Sequence, residues 1–324
     1  MNEGQITLPK VSIVLPVYNA AEFLVAAIDS IRQQNFEDYE CIAIDDGSTD
    51  ESGKLLDEVS NQDSRWKIIH QQNSGLVSAL NAGISHARGE YIARMDADDI
   101  SLPERLKQQF QFLENHPDVG LLGCSYGVID KPGHVVGSEP VLLYDRELRL
   151  SLLHTHTFAH GSVMIRTSVL RQVSQPPYQA TVGYVEDIDL WTRIARVSKL
   201  ASVPNILYLW RKNPESISHT KYKTQRSQAQ AVYRQYKGTI PWHALAKTVS
   251  WNDFRRYQTK HEIILGQQIT VHYRRAVSYH LVQISKLVGY GDLILSLRLL
   301  WFAFWMDPKF FLRGVLLKLL HKKT

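Results

Sequence analysis

The chain is 324 residues long, 44% hydrophobic and 21% charged. This composition suits a folded protein with a sizeable core and excludes disordered, fibrous and disulfide-stapled classes. The net charge of +5 hides an asymmetry: residues 1–220 hold 19 Lys/Arg against 28 Asp/Glu, whereas residues 221–324 hold 18 against 4. In chain order, "VSIVLPVY" (11–18) is a β-branched apolar run that reads as a strand buried on both faces. Phe23, Leu24, Ala27, Ile28 and Ile31 then recur at helical spacing. "YECIAI" (39–44) is the next strand, ending in "DDGSTDES", where Ser48, Thr49 or Asp50 offers a helix cap. "WKIIH" (66–70) is a third strand. "NSGLVSALNAGISHARG" reads as a helix capped by Ser74 and closed by Gly89, and "EYIARM" (90–95) as a fourth strand. "VGLLGCSYGVID", "HGSVMIRTSVL" and "ILYLWR" read as further strands, with "VEDIDLWTRIAR" helical between the last two. Past about residue 220 the pattern predicts helices only.

Strands alternating with helices predict a mostly parallel sheet with helices on both faces, and ligands at the carboxyl ends of its strands. The acidic clusters fall there: Asp45 and Asp46 after the second strand, and Asp96, Asp98 and Asp99 after the fourth. Closely spaced carboxylates repel, so a hard cation, Mg²⁺ or Mn²⁺, is one reading of the second cluster; a turn cap with solvated neighbours is the other. The first cluster could accept hydrogen bonds from a base or from ribose hydroxyls, or serve only as a cap. Two acidic strand ends on one sheet together suggest a nucleoside diphosphate. A nucleotidyltransferase would carry a Gly-rich basic phosphate loop after its first strand, and "PVYNAAEF" has neither Lys, Arg nor Gly.

Four stretches, "VSIVLPVYNA", "IDDGSTDES", "NSGLVSALNAGISHARGEYIARMDADD" and "GYVEDIDLWTRIA", stand in an order and spacing that resembles the family 2 glycosyltransferases. The resemblance covers roughly residues 9–218. It implies an inverting enzyme with the GT-A fold, a Rossmann-like α/β architecture, and a nucleotide-sugar donor, UDP-linked. By the same resemblance Pro16, Val17 and Tyr18 line the base, and Asp46, with Asp45 beside it, contacts the uracil. Asn73 and Gly75 form a turn near the nucleoside, Asp96 faces the sugar or ribose, and Asp98 holds the metal. Asp187, preceded by Glu186, matches the catalytic base, with Trp191 and Arg193 on the helix behind it. The chain departs from the pattern at Leu80, where many relatives carry Arg, and at Asn213, where many carry a late His that His219 would have to replace. His160 matches a position on the acceptor side, where a lone histidine is commonly structural.

The expected organisation is therefore a catalytic domain over residues 1–220 and a basic helical region over 221–324. In the tail, Asp292 is placed to cap a helix with Leu293, Ile294, Leu297, Leu300, Trp301 and Phe304 on one apolar face, and Pro308 starts another helix. Aromatics, leucines and lysines mixed in this way suit an interfacial helix on anionic lipid; a helix pair packed on the catalytic domain fits the same spacing. An apolar-aromatic face argues for lipid over nucleic acid as its partner. Two cysteines in apolar runs, Cys41 and Cys124, a polar N-terminus and the lack of an 18-residue apolar run point to a reduced, cytoplasmic protein. Its expected place is peripheral on the inner membrane, with a saccharide or lipid-linked acceptor from cell-surface polysaccharide assembly.

Overall fold

The computed structural model describes residues 8–214, 216, 220–250, 260–265, 267–271, 273–288, 292–308 and 311–312. The first half alternates strands and helices: β1 (Val11–Val17), α1 (Ala21–Arg32), β2 (Tyr39–Asp45), α2 (Ser52–Gln62), β3 (Trp66–His70), α3 (Leu76–His86) and β4 (Tyr91–Arg94). β1, β2 and β4 are buried along their whole length, as continuous apolar runs covered by helices on both faces must be. Next come β5 (Ile100–Ser101), α4 (Arg105–Asn115), β6 (Val119–Ile129), β7 (Val135–Glu139), α5 (Asp145–Ser151), β8 (Met164–Arg166), α6 (Thr167–Leu170), α7 (Glu186–Ile194) and β9 (Lys199–Arg211).

Among the described residues these strands form one nine-stranded sheet in the order β3-β2-β1-β4-β8-β6-β9-β5, with β7 on β6. The chain runs outward from β1 to β2 and β3, then crosses back to place β4 on the other side of β1. That reversal opens a crevice at the carboxyl ends of β1 and β4. The parallel part of the expected mostly parallel sheet is β3-β2-β1-β4 together with the β6-β9 pair, and between them β8 pairs antiparallel with both β4 and β6. Its short run "MIR" enters from a 3₁₀ turn at His160–Ser162 rather than from a crossover helix, and parallel neighbours need such a crossover.

Two local expectations shift. Gly75, not Ser74, occupies the cap position of α3: the Ser74 N–H donates to Asp46 and its hydroxyl to the Gln72 carbonyl, because the preceding loop is drawn onto Asp46. Gly89 lies past the end of α3, and its N–H donates to Ser12 Oγ on β1 at 2.8 Å. A hairpin also interrupts the expected all-helical tail, with Lys260–Ile264 antiparallel to Gln267–Val271. Ile263, Ile264, Ile269, Thr270 and Val271 are β-formers flanking a Leu-Gly pair in the sequence, the signature of a turn between strands.

The tail helices Tyr222–Thr239, Tyr273–Val288 and Leu293–Met306 pack on the sheet domain. Tyr236, Leu281 and Phe302 join one apolar cluster with Leu148 of α5 and Trp191 of α7. Asp292 caps the last of these helices, accepting from the Leu295 N–H at 3.0 Å. Its faces differ from the expected single stripe: Leu295, Leu299, Phe302, Ala303 and Met306 are buried, whereas Ile294, Leu297, Trp301 and Trp305 are exposed. Cys41 and Cys124 are buried free thiols.

Candidate active site

The crevice is lined first by the loops after β1, β2 and β3. Pro16 and Val17 are buried in β1, while Tyr18, the next residue, is exposed. The Asp46 N–H donates to the Val17 carbonyl at 2.9 Å, so both strand ends stay in register. Asn19, at φ 48°, knits the two loops together: its Oδ1 accepts from the Thr49 N–H at 2.8 Å and its N–H donates to Ser48 Oγ at 3.1 Å. Asp45 accepts from the Ser48 N–H at 3.0 Å and meets His70 Nδ1 at 2.8 Å, and His70 Nε2 meets Asp57 at 3.0 Å. Burial opposes ionisation of Asp45, but the bonds from Ser48 and His70 outweigh it and hold its pKa low. The same carboxylate, with Asp57, raises the pKa of His70.

Asp46 is buried and fully engaged. One oxygen accepts from Gln71 Nε2 at 2.7 Å and the Ser74 N–H at 2.8 Å, and the other from the Gly75 N–H at 2.8 Å. In this conformation it folds the Gln71–Gly75 loop over the end of β2. Gly47, at φ +73°, must be glycine twice over, since an added Cβ would also sit 2.7 Å from the Asn73 nitrogen. Asp45, Asp46, Asn73 and Gly75 are thus brought together at one end of the sheet, with the Asp46 oxygens spent on the Gln71–Gly75 loop.

The second cluster surrounds a buried cation. Arg94, the last residue of β4, is almost inaccessible to solvent and pairs through Nη1 with Asp96 Oδ2. Asp99 is also buried: it accepts from the Tyr208 hydroxyl and the Arg211 N–H, both at 2.7 Å, while Arg211 Nε donates to the Asp98 carbonyl at 2.7 Å. Asp99 is therefore a fastener between the turn and β9. Burial and then the charge of Asp96 push the Asp98 carboxyl up to about 6. Burial, Asp96 and Asp98 push Asp99 well above the usual carboxylate range.

α7 brings the third group. Glu186 and Asp187 open this helix and both are buried, where the helix N-terminus favours negative charge. Asp187 Oδ1 accepts from the Ile188 N–H at 2.7 Å. Burial and then Asp187 push Glu186 up to about 7. Trp191 is fully buried and meets the His160 ring edge-on at 5.8 Å. Arg193 pairs with Asp189 at 2.7 Å and donates to the Pro177 carbonyl at 2.5 Å, anchoring α7 to the segment before it. His160 Nε2 lies 2.8 Å from the Tyr178 hydroxyl. Asn81 of α3 grips the Tyr178 backbone twice, at 2.9 and 3.0 Å. Burial and then Arg94 drive the His160 pKa well below its ordinary value, which favours the uncharged ring. The Tyr178 phenol feels the charges of Arg94, Glu186, Asp187 and Asp96. The β4 turn and the start of α7, about ninety residues apart in the chain, therefore share one electrostatic neighbourhood.

Several members of this site escape the sequence reading: Arg94, Tyr178, Tyr208, Arg211 and Asn81. The signal for Arg94 was present, since an arginine inside the apolar run "EYIARM" must be buried with a partner. The others carry none. Leu80 is a core residue, and His219 lies outside the described residues.

A divalent cation fits the donor set. Among the described residues no three His, Cys, Asp or Glu side chains form a ready cage, but Mg²⁺ bound with a diphosphate takes only one or two carboxylates. Asp96 is committed to Arg94, which leaves Asp98, its ionisation opposed by burial and by Asp96, as the carboxylate a cation would relieve.

Carboxylates gathered at the open edge of a mixed α/β sheet, on either side of a strand-order reversal, define an enzyme of nucleotide-handling type. The family model described as "Glycosyl transferase family 2" matches residues 12–174. The EpsE protein of Bacillus subtilis is 36% identical over 195 residues, covering 60% of this chain and 68% of its own. A glycosyltransferase of Haemophilus influenzae, itself uncharacterized, is 30% identical over 238 residues, 70% of this chain and 73% of its own. The chain belongs to glycosyl transferase family 2. Solved structures agree on the fold. Staphylococcus aureus TarS 1–349 in complex with UDP-GlcNAc superposes with a TM-score of 0.56 at 15% identity, covering 90% of this chain and 88% of that one. The mannosyltransferase PcManGT of Pyrobaculum calidifontis, in complex with GDP-Man and Mn²⁺, gives 0.51 at 15%, covering 94% and 88%. The fold is GT-A, with a C-terminal helical extension.

Proposed function

We propose that this glycosyltransferase moves a sugar from a UDP-sugar to a hydroxyl of a saccharide or lipid-linked acceptor, with inversion at the anomeric carbon, in cell-surface polysaccharide assembly. The observation that carries the reading is the shared electrostatic neighbourhood of the Arg94–Asp96 pair and of Asp187, both felt at Tyr178. Two structural neighbours hold UDP-GlcNAc and GDP-Man, and the acidic platform of Asp45 and Asp46 suits a base and ribose. Pro16, Val17, Tyr18, Asn73 and Gly75 complete the nucleoside side in this reading.

Asp187 acts as the general base and takes the proton from the acceptor hydroxyl. The freed oxygen attacks the anomeric carbon from the face opposite the diphosphate. Burial and Asp187 raise the Glu186 pKa to about 7, so this carboxyl resists ionising beside Asp187, which limits repulsion between the two. Arg94 holds Asp96 in place, and Asp99 fixes the turn that presents Asp98. A diphosphate leaves as an anion and needs no proton, so a single base suffices. A Mg²⁺ or Mn²⁺ held by Asp98 would stabilise the charge growing on that leaving group.

Residues 1–220 would form the catalytic domain and residues 221–324 a basic region that rests on anionic lipid at the cytoplasmic face of the inner membrane. No described helix is long and apolar enough to cross a membrane; the exposed stripe Ile294, Leu297, Trp301 and Trp305 suits insertion between headgroups. The reaction is tested with Asp187→Asn. Sugar transfer should vanish while UDP affinity, measured by calorimetry, stays within about twofold of wild type. Parallel loss of both would give Asp187 a folding role instead.

A further inference from the structure

Just before the proposed base, the chain is fastened in an unusual way. Tyr184 stands three positions ahead of Asp187 and is 37% exposed. Both of its backbone polar groups are held by side chains of the helix Tyr222–Thr239. Its N–H donates to Gln228 Oε1 at 3.0 Å, and its carbonyl accepts from Gln225 Nε2 at 3.0 Å. Gly183, at φ +73°, lets the Gln228 amide pass over the chain: an added Cβ would sit 2.1 Å from Gln228 Nε2. Beneath the clamp, Val185 and Ile188 pack with Ala229 and Val232, and Tyr233 packs against them. Tyr233 is near enough to Asp187 for that carboxylate, after burial, to help raise its pKa.

We infer that Tyr184 is the platform of an acceptor subsite, a phenol ring on which the C–H face of a pyranose stacks, fixed beside the base by the Gln225–Gln228 clamp. The inference rests on the reading of Asp187 as the base. Tyr184 keeps more than a third of its surface in solvent, and two glutamines spent on immobilising its backbone make sense if the ring must be presented rigidly. A tyrosine has only two side-chain torsions to order, so it adds contact area at low entropic loss. Stacking needs no particular hydroxyl pattern, so the subsite selects the class, a saccharide ring, while other groups choose the sugar. The acceptor would then rest on the surface where the segment before α7 is tied to the first tail helix. The tail thereby contributes to catalysis as well as to location.

The test uses the full chain with its 15 tyrosines replaced by 3-fluorotyrosine, saturated with UDP and Mn²⁺. The fluorine resonance missing in Tyr184→Phe identifies Tyr184. Methyl α- and β-glycosides of glucose, galactose, N-acetylglucosamine and mannose are titrated in turn. At least one should move that resonance saturably. By calorimetry, Tyr184→Ala should then bind it about fivefold more weakly, Tyr184→Phe should bind as wild type, and Gln225→Ala/Gln228→Ala should weaken it with UDP affinity unchanged. The inference is overturned if no glycoside moves the resonance, or if Tyr184→Ala binds as tightly as wild type. A chain that fails to bind UDP would instead sink the reading beneath it.

Discussion

Arg94 is the residue on which the acidic turn depends. It is a buried guanidinium paired with Asp96 and felt at Asp98, and removing one partner of a buried pair leaves an uncompensated charge. Arg94→Met should lower stability by about 3 kcal/mol, read by chemical denaturation, whereas a change below about 1 kcal/mol would show that solvent already screens the cluster. His70 supplies a pH signature. Asp45 and Asp57 raise its pKa, so the folded protein holds that proton more tightly than the unfolded chain does. Its contribution is complete below the unfolded value of about 6.5 and fades as pH climbs through the folded value. The difference in Tm between wild type and His70→Gln should therefore shrink as pH rises above about 6.5; a constant difference would contradict the Asp45–His70–Asp57 chain. At this scale the sequence is only half legible. Asp45, Asp46, Asp96, Asp98 and Asp187 could be singled out because strand ends and spacing mark them. The sequence could not distinguish their duties: Asp46 and Asp99 spend their oxygens on protein donors. Tyr208 and Asn81 reach their partners across 109 and 97 residues, where no local pattern exists.

At the scale of elements, the β1, β2 and β3 loops behave as one folded unit. Gly47→Ala would force an L side chain into a left-handed backbone and onto the Asn73 nitrogen. A loss of about 1–3 kcal/mol is expected, together with weaker UDP binding because the Asn73–Gly75 turn moves. Wild-type UDP affinity in that variant would separate the loop from the nucleoside site. The parallel half of the sheet was readable because buried strands are unbroken apolar runs and α1, α3 and α7 carry helical periodicity. In the mixed half β6, β8 and β9 were readable as strands, but β5 and the direction of β8 were not. β8 is three residues long and β5 two, too short for a period, and their direction is set by turns that depend on tertiary contacts. The hairpin at Lys260–Val271 was masked by a basic, helix-rich neighbourhood, although its Ile and Thr content marked it.

At the scale of the whole molecule, the tail helices share one core with the sheet, yet one face of Leu293–Met306 presents Ile294, Leu297, Trp301 and Trp305 outward. Trp301→Ser/Trp305→Ser should abolish co-sedimentation with vesicles containing anionic phospholipid and leave the chain folded; unchanged sedimentation would assign the stripe to another partner. High salt should weaken the same binding, because each Lys or Arg near an anionic surface contributes about 1 kcal/mol at low ionic strength. In the proposed reaction, carboxylates from β2, the β4 turn and α7 surround a single donor. A crystal structure with UDP and Mn²⁺ tests it most directly. The account predicts uracil beside Asp45 and Asp46, the cation on Asp98, and the Asp187 carboxylate within one sugar's width of the β-phosphate. UDP bound elsewhere, or Asp187 turned away from the diphosphate, would contradict it.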